Sequence, residues 1–142
     1  MKHRRIVGLG LCVVDHTLVV DRFDLSDVRL RYTEHMTCGG GMIANALAQA
    51  ALLGCNTHVV SVIGDDPAGR LVVRDFRRAG VKTGRLIRSR EIPTTLCFVL
   101  VRRRGGERRF IAPDRRDLER QAPDLDVSVV DARTILLVDG HF

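Results

Sequence analysis

The chain has 142 residues, 45% hydrophobic and 28% charged, which is enough apolar side chain for one domain with a real core or for part of a larger one. That balance excludes a disordered, collagen-like or disulfide-stapled chain, and no apolar run approaches the ~20 residues of a membrane-spanning helix. The net charge of +6 comes from 23 basic residues against 17 acidic ones, and only Lys2 and Lys82 among the basic residues are lysine.

Met1-Lys2-His3-Arg4-Arg5 is basic like a signal peptide. The apolar segment behind it is broken by Asp15 and His16 and lacks a cleavage site, so a cytoplasmic protein is expected. Arg5 to Val14 is nearly continuous in apolar residues and rich in valine, the pattern of a strand buried on both faces in the centre of a parallel sheet. Thr17–Val20 and Arg29–Met36 alternate more clearly, as strands with one wet face do, and a polar link around Asp24 to Asp27 separates them. Three glycines, Gly39 to Gly41, then lead into an alanine-rich helix that ends at Gly54. That helix is apolar around most of its circumference and should be buried.

His58–Ile63 reads as a second buried strand. Gly64-Asp65-Asp66-Pro67 follows as a turn in which Asp66 caps a helix and Pro67 takes its first position. The helix runs to about Ala79, with Leu71, Val72, Phe76 and Ala79 on one face, arginines on the other and Gly80 as its stop. Arg85 to Arg88 suggests a short strand, and Thr94–Val101 and Glu107–Ala112 flank a hairpin turn at Arg104-Gly105-Gly106. Pro113 to Pro123 reads as a polar loop with a short helix, and Ile135–Gly140 as another buried parallel strand. Strands alternating with helices give the α/β class, and a parallel strand with no helix after it points to a truncated domain.

Cys12, Cys38, Cys55 and Cys97 lie far apart with no C-x-x-C pair and read as buried free thiols. The arginines cluster at Arg70, Arg74, Arg77 and Arg78 and again at Arg102 to Arg104, Arg108 and Arg109. With 4% aromatic residues and one tyrosine, Tyr32, a stacking surface for single-stranded nucleic acid is poorly supplied. Arginine-rich nucleic-acid binding remains a rival, with a steep fall of affinity in salt as its signature. Gly8-Leu-Gly-Leu-Cys-Val begins like a dinucleotide fingerprint but lacks the third glycine and runs on as strand. No G-x-x-x-x-G-K-[ST] loop occurs, and Cys12 with His16 has no second pair to complete a zinc site, so no metal ligands are assigned.

The glycine loop is the chief candidate for chemistry. Glycines let backbone N–H groups approach a ligand closely, and a helix N-terminus favours oxygen-rich groups. Asp15, at the carboxyl end of a buried strand, lies where open α/β sheets place ligands and can accept hydrogen bonds from two hydroxyls; alternatively it caps the turn backbone. Asn45, one turn into the apolar helix, reads as a buried amide, which a ligand or a neighbouring backbone group must satisfy.

At Gly39-Gly-Gly-Met-Ile-Ala-Asn45, followed by Gly54 and by Gly64-Asp-Asp-Pro-Ala-Gly69, the sequence resembles the ribokinase-like, or PfkB, family of carbohydrate kinases. Asn45, Gly54 and Gly64 keep the distances of the family's first signature, whereas Ile43 and Leu47 stand where smaller or hydroxylated residues are usual. The resemblance implies a ribokinase-like α/β fold: part of a parallel central sheet with helices on both faces, plus a small β-sheet lid from about 17–36 and 94–112. It implies that 1–142 is the N-terminal, sugar-binding portion of an ATP-dependent kinase that phosphorylates a sugar hydroxyl. Asp15 and Asn45 would hold sugar hydroxyls and Gly40 and Gly41 would lend backbone contacts, with Asp139 or His141 at the last strand's end also within reach. Family members run to roughly 300 residues. Their Gly-Ala-Gly-Asp motif with the catalytic base, their magnesium motif and their ATP pocket lie in a second half that this chain lacks, so no catalytic residue is assigned here. The fragment alone is expected to be inactive, and the complete enzyme to take ATP and Mg2+ and to pair as a homodimer through the lid strands. A non-catalytic sugar-binding or oligomerisation module is the other alternative.

Overall fold

The computed structural model describes residues 5–23, 29–114 and 125–140. In chain order the elements are β1 (Arg5–Leu9), β2 (Val13–Val20), β3 (Tyr32–Gly40), α1 (Met42–Leu52), β4 (Asn56–Gly64), α2 (Pro67–Ala79), β5 (Lys82–Ser89), β6 (Thr95–Arg102), β7 (Arg108–Ile111) and β8 (Thr134–Val138). They form two sheets. One is wholly parallel with order β5-β4-β1-β8, and the other runs β3-β2-β6-β7, with only its β2–β6 pair parallel. This is the α/β, ribokinase-like arrangement: a parallel core sheet, flanking helices and a small mixed sheet.

β1 and β4 supply the valines expected of strands covered on both faces: Val7, Val59 and Val60 are fully buried. Alternation sends Val59 and Ile63 of β4 to one face, where Ile43, Ala44 and Leu47 of α1 and Val72, Val73 and Phe76 of α2 complete a shared core. Ile43 and Leu47 pack directly onto β1 at Gly8, whose missing side chain makes room for them. On the other face Val7 and Val60 meet Val129, with Leu9 and Leu125 beside them.

α2 has the bounds its sequence signals predict. Asp66 is the N-cap and accepts the Gly69 N–H at 2.7 Å, Pro67 opens the helix, and Gly80 closes it in the left-handed region. β6 and β7 pair antiparallel across Gly105 and Gly106, as the hairpin signal predicts.

Several expectations are corrected. The apolar run from Arg5 to Val14 is two strands in two sheets: β1 stops at Leu9, and Val13 already begins the small sheet. Both halves are buried, so the pattern carries no mark of the crossing at Gly10–Cys12. The small sheet correspondingly reaches beyond 17–36, from Val13 to Gly40, while its other two strands fall within 94–112, and Gly39 and Gly40 end β3 instead of forming a loop. α1 is not buried all round: Met42, Asn45, Leu52 and Leu53 are exposed, because only its Ile43–Ala44–Leu47 face meets β1 and β4. β8 pairs parallel with β1 as expected, yet it is an edge strand with Ile135, Leu136 and Val138 exposed. β5 is a full eight-residue strand, not a short one. Cys12 and Cys97 are buried thiols, but Cys38 is half-buried and Cys55 exposed. The polar link at 24–27, His141 and all but the first residues of the loop and short helix read at 113–123 lie outside the described residues.

Candidate functional site

The small sheet is rooted in the core where β2 leaves the crossing and β3 turns into α1. Asp15 is the third residue of β2, in register with Cys38 of β3 on one side and Cys97 of β6 on the other. Its carboxylate lies over the Cα of Gly40: a Cβ there would fall 2.1 Å from Oδ2, so no other residue fits without moving the acid. Gly41 follows with φ 104°, and a side chain on it would strike the Leu11 carbonyl. This turn caps α1 without any side-chain hydrogen bond, which leaves the first-turn N–H groups of the helix open.

Burial lifts the Asp15 carboxyl above its ordinary value, while the neighbouring His16 works against the lift. Among the described residues no hydrogen-bond donor reaches this carboxylate. Burial first, and then the Asp15 charge, also raise the Cys38 and Cys97 thiols; Asp75 adds to the effect at Cys38. Both thiols are therefore held protonated and flank the acid as small apolar walls. Asp15 and the Gly40–Gly41 turn thus lie together, with an acid that has no hydrogen-bond donor among the described residues.

The other residues singled out in the sequence are placed differently. Asn45 is exposed one turn into α1; its backbone N–H bonds Gly41 O, and its amide does not need the buried partner that the sequence suggested. Asp139 is buried at the end of β8, where its Oδ2 accepts the Leu11 N–H at 3.0 Å. It braces the crossing between the two sheets, directly beneath the Gly41 turn.

Two braces escaped the sequence reading. Asp75 on α2 accepts the Gly39 N–H at 2.9 Å and so fixes the end of β3. Thr94, just before β6, gives its N–H to Asp66 Oδ2 and its hydroxyl proton to Oδ1, both at 2.8 Å, and accepts the Gly64 N–H at 2.9 Å. Against the lift that burial gives it, these bonds and the one from Gly69 hold the Asp66 carboxyl below the usual carboxylate value. The Gly64–Gly69 motif therefore ties the core to the small sheet. An acid beside Phe76 on a face that otherwise packs was the available signal for Asp75; Thr94 offered none, because its partners lie about 30 residues away.

The family model for pfkB carbohydrate kinases matches residues 3–142. An uncharacterized sugar kinase of Escherichia coli is 30% identical over 138 residues, covering 88% of this chain and 38% of that protein. The ribokinase of Staphylococcus aureus is 29% identical over 102 residues, covering 71% and 34%. The chain thus spans little more than a third of the length of these relatives. Among solved structures, ribokinase from Thermotoga maritima superposes with a TM-score of 0.67 at 28% identity, covering 78% of this chain and 36% of that one. Ribokinase from Cryptococcus neoformans shares the fold with a TM-score of 0.78 at 22% identity, covering 97% and 42%. With the glycine turn, the strand-borne aspartate and the small mixed sheet in place, the chain belongs to the pfkB family of carbohydrate kinases.

Proposed function

We propose that this chain is the N-terminal, sugar-binding portion of an ATP-dependent carbohydrate kinase, with Asp15 as the principal acceptor of sugar hydroxyls. The observation that carries this reading is the Asp15 carboxylate: half-buried, raised by its surroundings, without a donor among the described residues and seated over Gly40. Such a group gains most from a ligand that brings two adjacent hydroxyls, each donating one hydrogen bond. Gly40 and Gly41 and the open first turn of α1 supply backbone N–H groups beside it, and the exposed Asn45 amide is free to turn toward a ligand. Asp139 acts through Leu11, holding the crossing that shapes the turn.

The sheet β3-β2-β6-β7 serves as the lid that excludes water from the sugar, and its exposed Tyr32, Met36, Phe98, Phe110 and Ile111 suit pairing with the lid of a second copy. Among the described residues no group of three or more His, Cys, Asp or Glu side chains could hold a metal ion, and the sequence has no G-x-x-x-x-G-K-[ST] loop. In this reading the catalytic base and both cofactors belong to the other half of the kinase, and this chain binds, orients and shields the acceptor sugar.

The test is sugar binding by the complete protein and its Asp15→Ala variant, titrated calorimetrically against a panel of pentoses and hexoses. Loss of a charge-assisted hydrogen-bonding group should weaken binding at least about tenfold. Unchanged affinity in a folded Asp15→Ala protein overturns the reading.

A further inference from the structure

The two arginine clusters of the sequence have different surroundings. In the lid, Arg102 and Arg109 reach Glu107, and Arg103 reaches Glu34 and Asp21. On α2, Arg70, Arg74, Arg77 and Arg78 are all exposed, and Arg88 of β5 joins them. With the buried Val73 these five arginines line one open groove of about 560 Å3 between the helix and the strand. Arg74 also bonds its neighbour Asp75 at 3.1 Å. The other four have no acidic partner among the described residues. Asp15, Gly40 and Gly41 do not line this groove, so it is independent of the sugar site.

Helix stability alone does not account for this arrangement. Arg74 follows Arg70 by one helical turn and precedes Arg77 and Arg78 by another, spacings at which like charges face and repel each other. Arg77 and Arg78, in the last turn, gain from the partial negative charge of the helix C-terminus. Arg70 stands near the N-terminus, where a cation is unfavourable, and Arg88 belongs to another element. A multivalent anion in the groove turns these repulsions into shared attractions, and planar guanidinium forks match phosphate oxygens two at a time. From Arg70 to Arg78 the stripe rises about 12 Å, room for a few linked phosphates. No aromatic ring lines it, so a nucleic-acid base has nothing to stack on. An acidic peptide would have to order long side chains of its own, whereas a phosphate chain is short and charged on every unit.

We propose that the groove between α2 and β5 binds a short oligophosphate chain, held by Arg70, Arg77, Arg78 and Arg88, with Arg74 shared between the ligand and Asp75. The groove is open, so the ligand keeps part of its hydration and its affinity falls with salt.

Tripolyphosphate is the probe, titrated calorimetrically into the full chain in phosphate-free buffer. Saturable one-to-one binding with a Kd below about 200 μM is expected at ~50 mM NaCl, weakening at ~300 mM as the salt screens the groove. Arg70→Gln combined with Arg77→Gln should weaken it at least about tenfold, and Arg88→Gln several-fold. Arg102→Gln combined with Arg103→Gln, in the lid, should leave it unchanged. Tripolyphosphate should also raise the thermal midpoint of the parent but not of the Arg70/Arg77 double variant, as a ligand specific to the native state does. Both arginines are exposed, so that variant folds. ATP, run beside the probe, separates a free phosphate chain from the tail of a nucleotide, and a short oligothymidylate separates it from nucleic acid; neither should bind more tightly than tripolyphosphate. Either one binding more tightly through the same arginines overturns the proposal. No saturable binding up to about 5 mM, or binding retained in the double variant, overturns it as well.

Discussion

The two sheets of this molecule solve opposite problems with the same number of strands. The parallel sheet covers β1 and β4 on both faces, so Val7, Val59, Val60 and Ile63 there are buried, together with the polar Thr57 and Ser61. Among the described residues the small sheet is tied to the core at its root, through Val14, Asp75 and the Asp66–Thr94 network. Beyond the root it exposes Tyr32, Met36, Phe98 and Phe110. Most of the buried core thus lies with the parallel sheet and the proposed sugar site with the other, and side chains that look equally apolar in the sequence do different work.

Matched truncations in the full chain break this comparison most directly. Leu47, fully buried between α1 and β1, should cost about 2–5 kcal/mol on replacement by alanine, read as a lower urea midpoint. Phe110→Ala, at a lid residue 65% exposed, should change that midpoint by less than about 0.5 kcal/mol. Its effect should appear instead in self-association, measured by sedimentation. Equal losses of stability would mean that the lid is part of the core after all.

The hinge between the sheets gives the next effect. Asp66→Ala removes a helix cap and the acceptors of both Thr94 donors, and should cost about 1–3 kcal/mol near neutral pH. Because the folded carboxyl is held below its unfolded value, its contribution is present above the unfolded pKa and disappears as the pH falls through the folded one. The gap between wild type and Asp66→Ala, followed by denaturation at several pH values, should therefore narrow in acid. A constant gap would show that the carboxyl stabilises equally whether or not it is ionised.

The same division explains how far the sequence could be read. α2 was legible because its cap, its proline and its terminal glycine are local signals with fixed spacing. The β6–β7 turn was legible because paired glycines take positive φ there. The crossing at Gly10–Cys12 was not, since a strand entering a second buried sheet keeps the same hydrophobic pattern as one that continues. The exposure of Asn45 was hidden by the alanines around it, which suit a helix whether or not they are covered. Within the candidate site, Asp15, Gly40 and Gly41 could be named in advance. The braces could not: Asp75 and Thr94 act on backbone groups 36 and about 30 residues away, and nothing local announces a contact of that range.

Asp15 gives the smallest effect on stability and the sharpest contrast with Asp66. Asp66 accepts hydrogen bonds from Gly69, Ala68 and both donors of Thr94 and has a lowered carboxyl, whereas Asp15 has no donor among the described residues and a raised one. A carboxyl whose folded pKa exceeds its unfolded pKa favours folding at low pH, and that contribution is lost as the pH rises through the folded value. Asp15→Asn should accordingly match or exceed the thermal midpoint of wild type at neutral pH, with the margin developing as the pH rises from the ordinary aspartate range through the raised value and then levelling off. The margin should shrink when wild type is saturated with a sugar whose hydroxyls satisfy the carboxylate, and sugar should leave Asp15→Asn nearly unmoved. An Asp15→Asn protein that is less stable at every pH would mean that the acid already has a structural partner, and the empty acceptor on which the sugar reading rests would be gone.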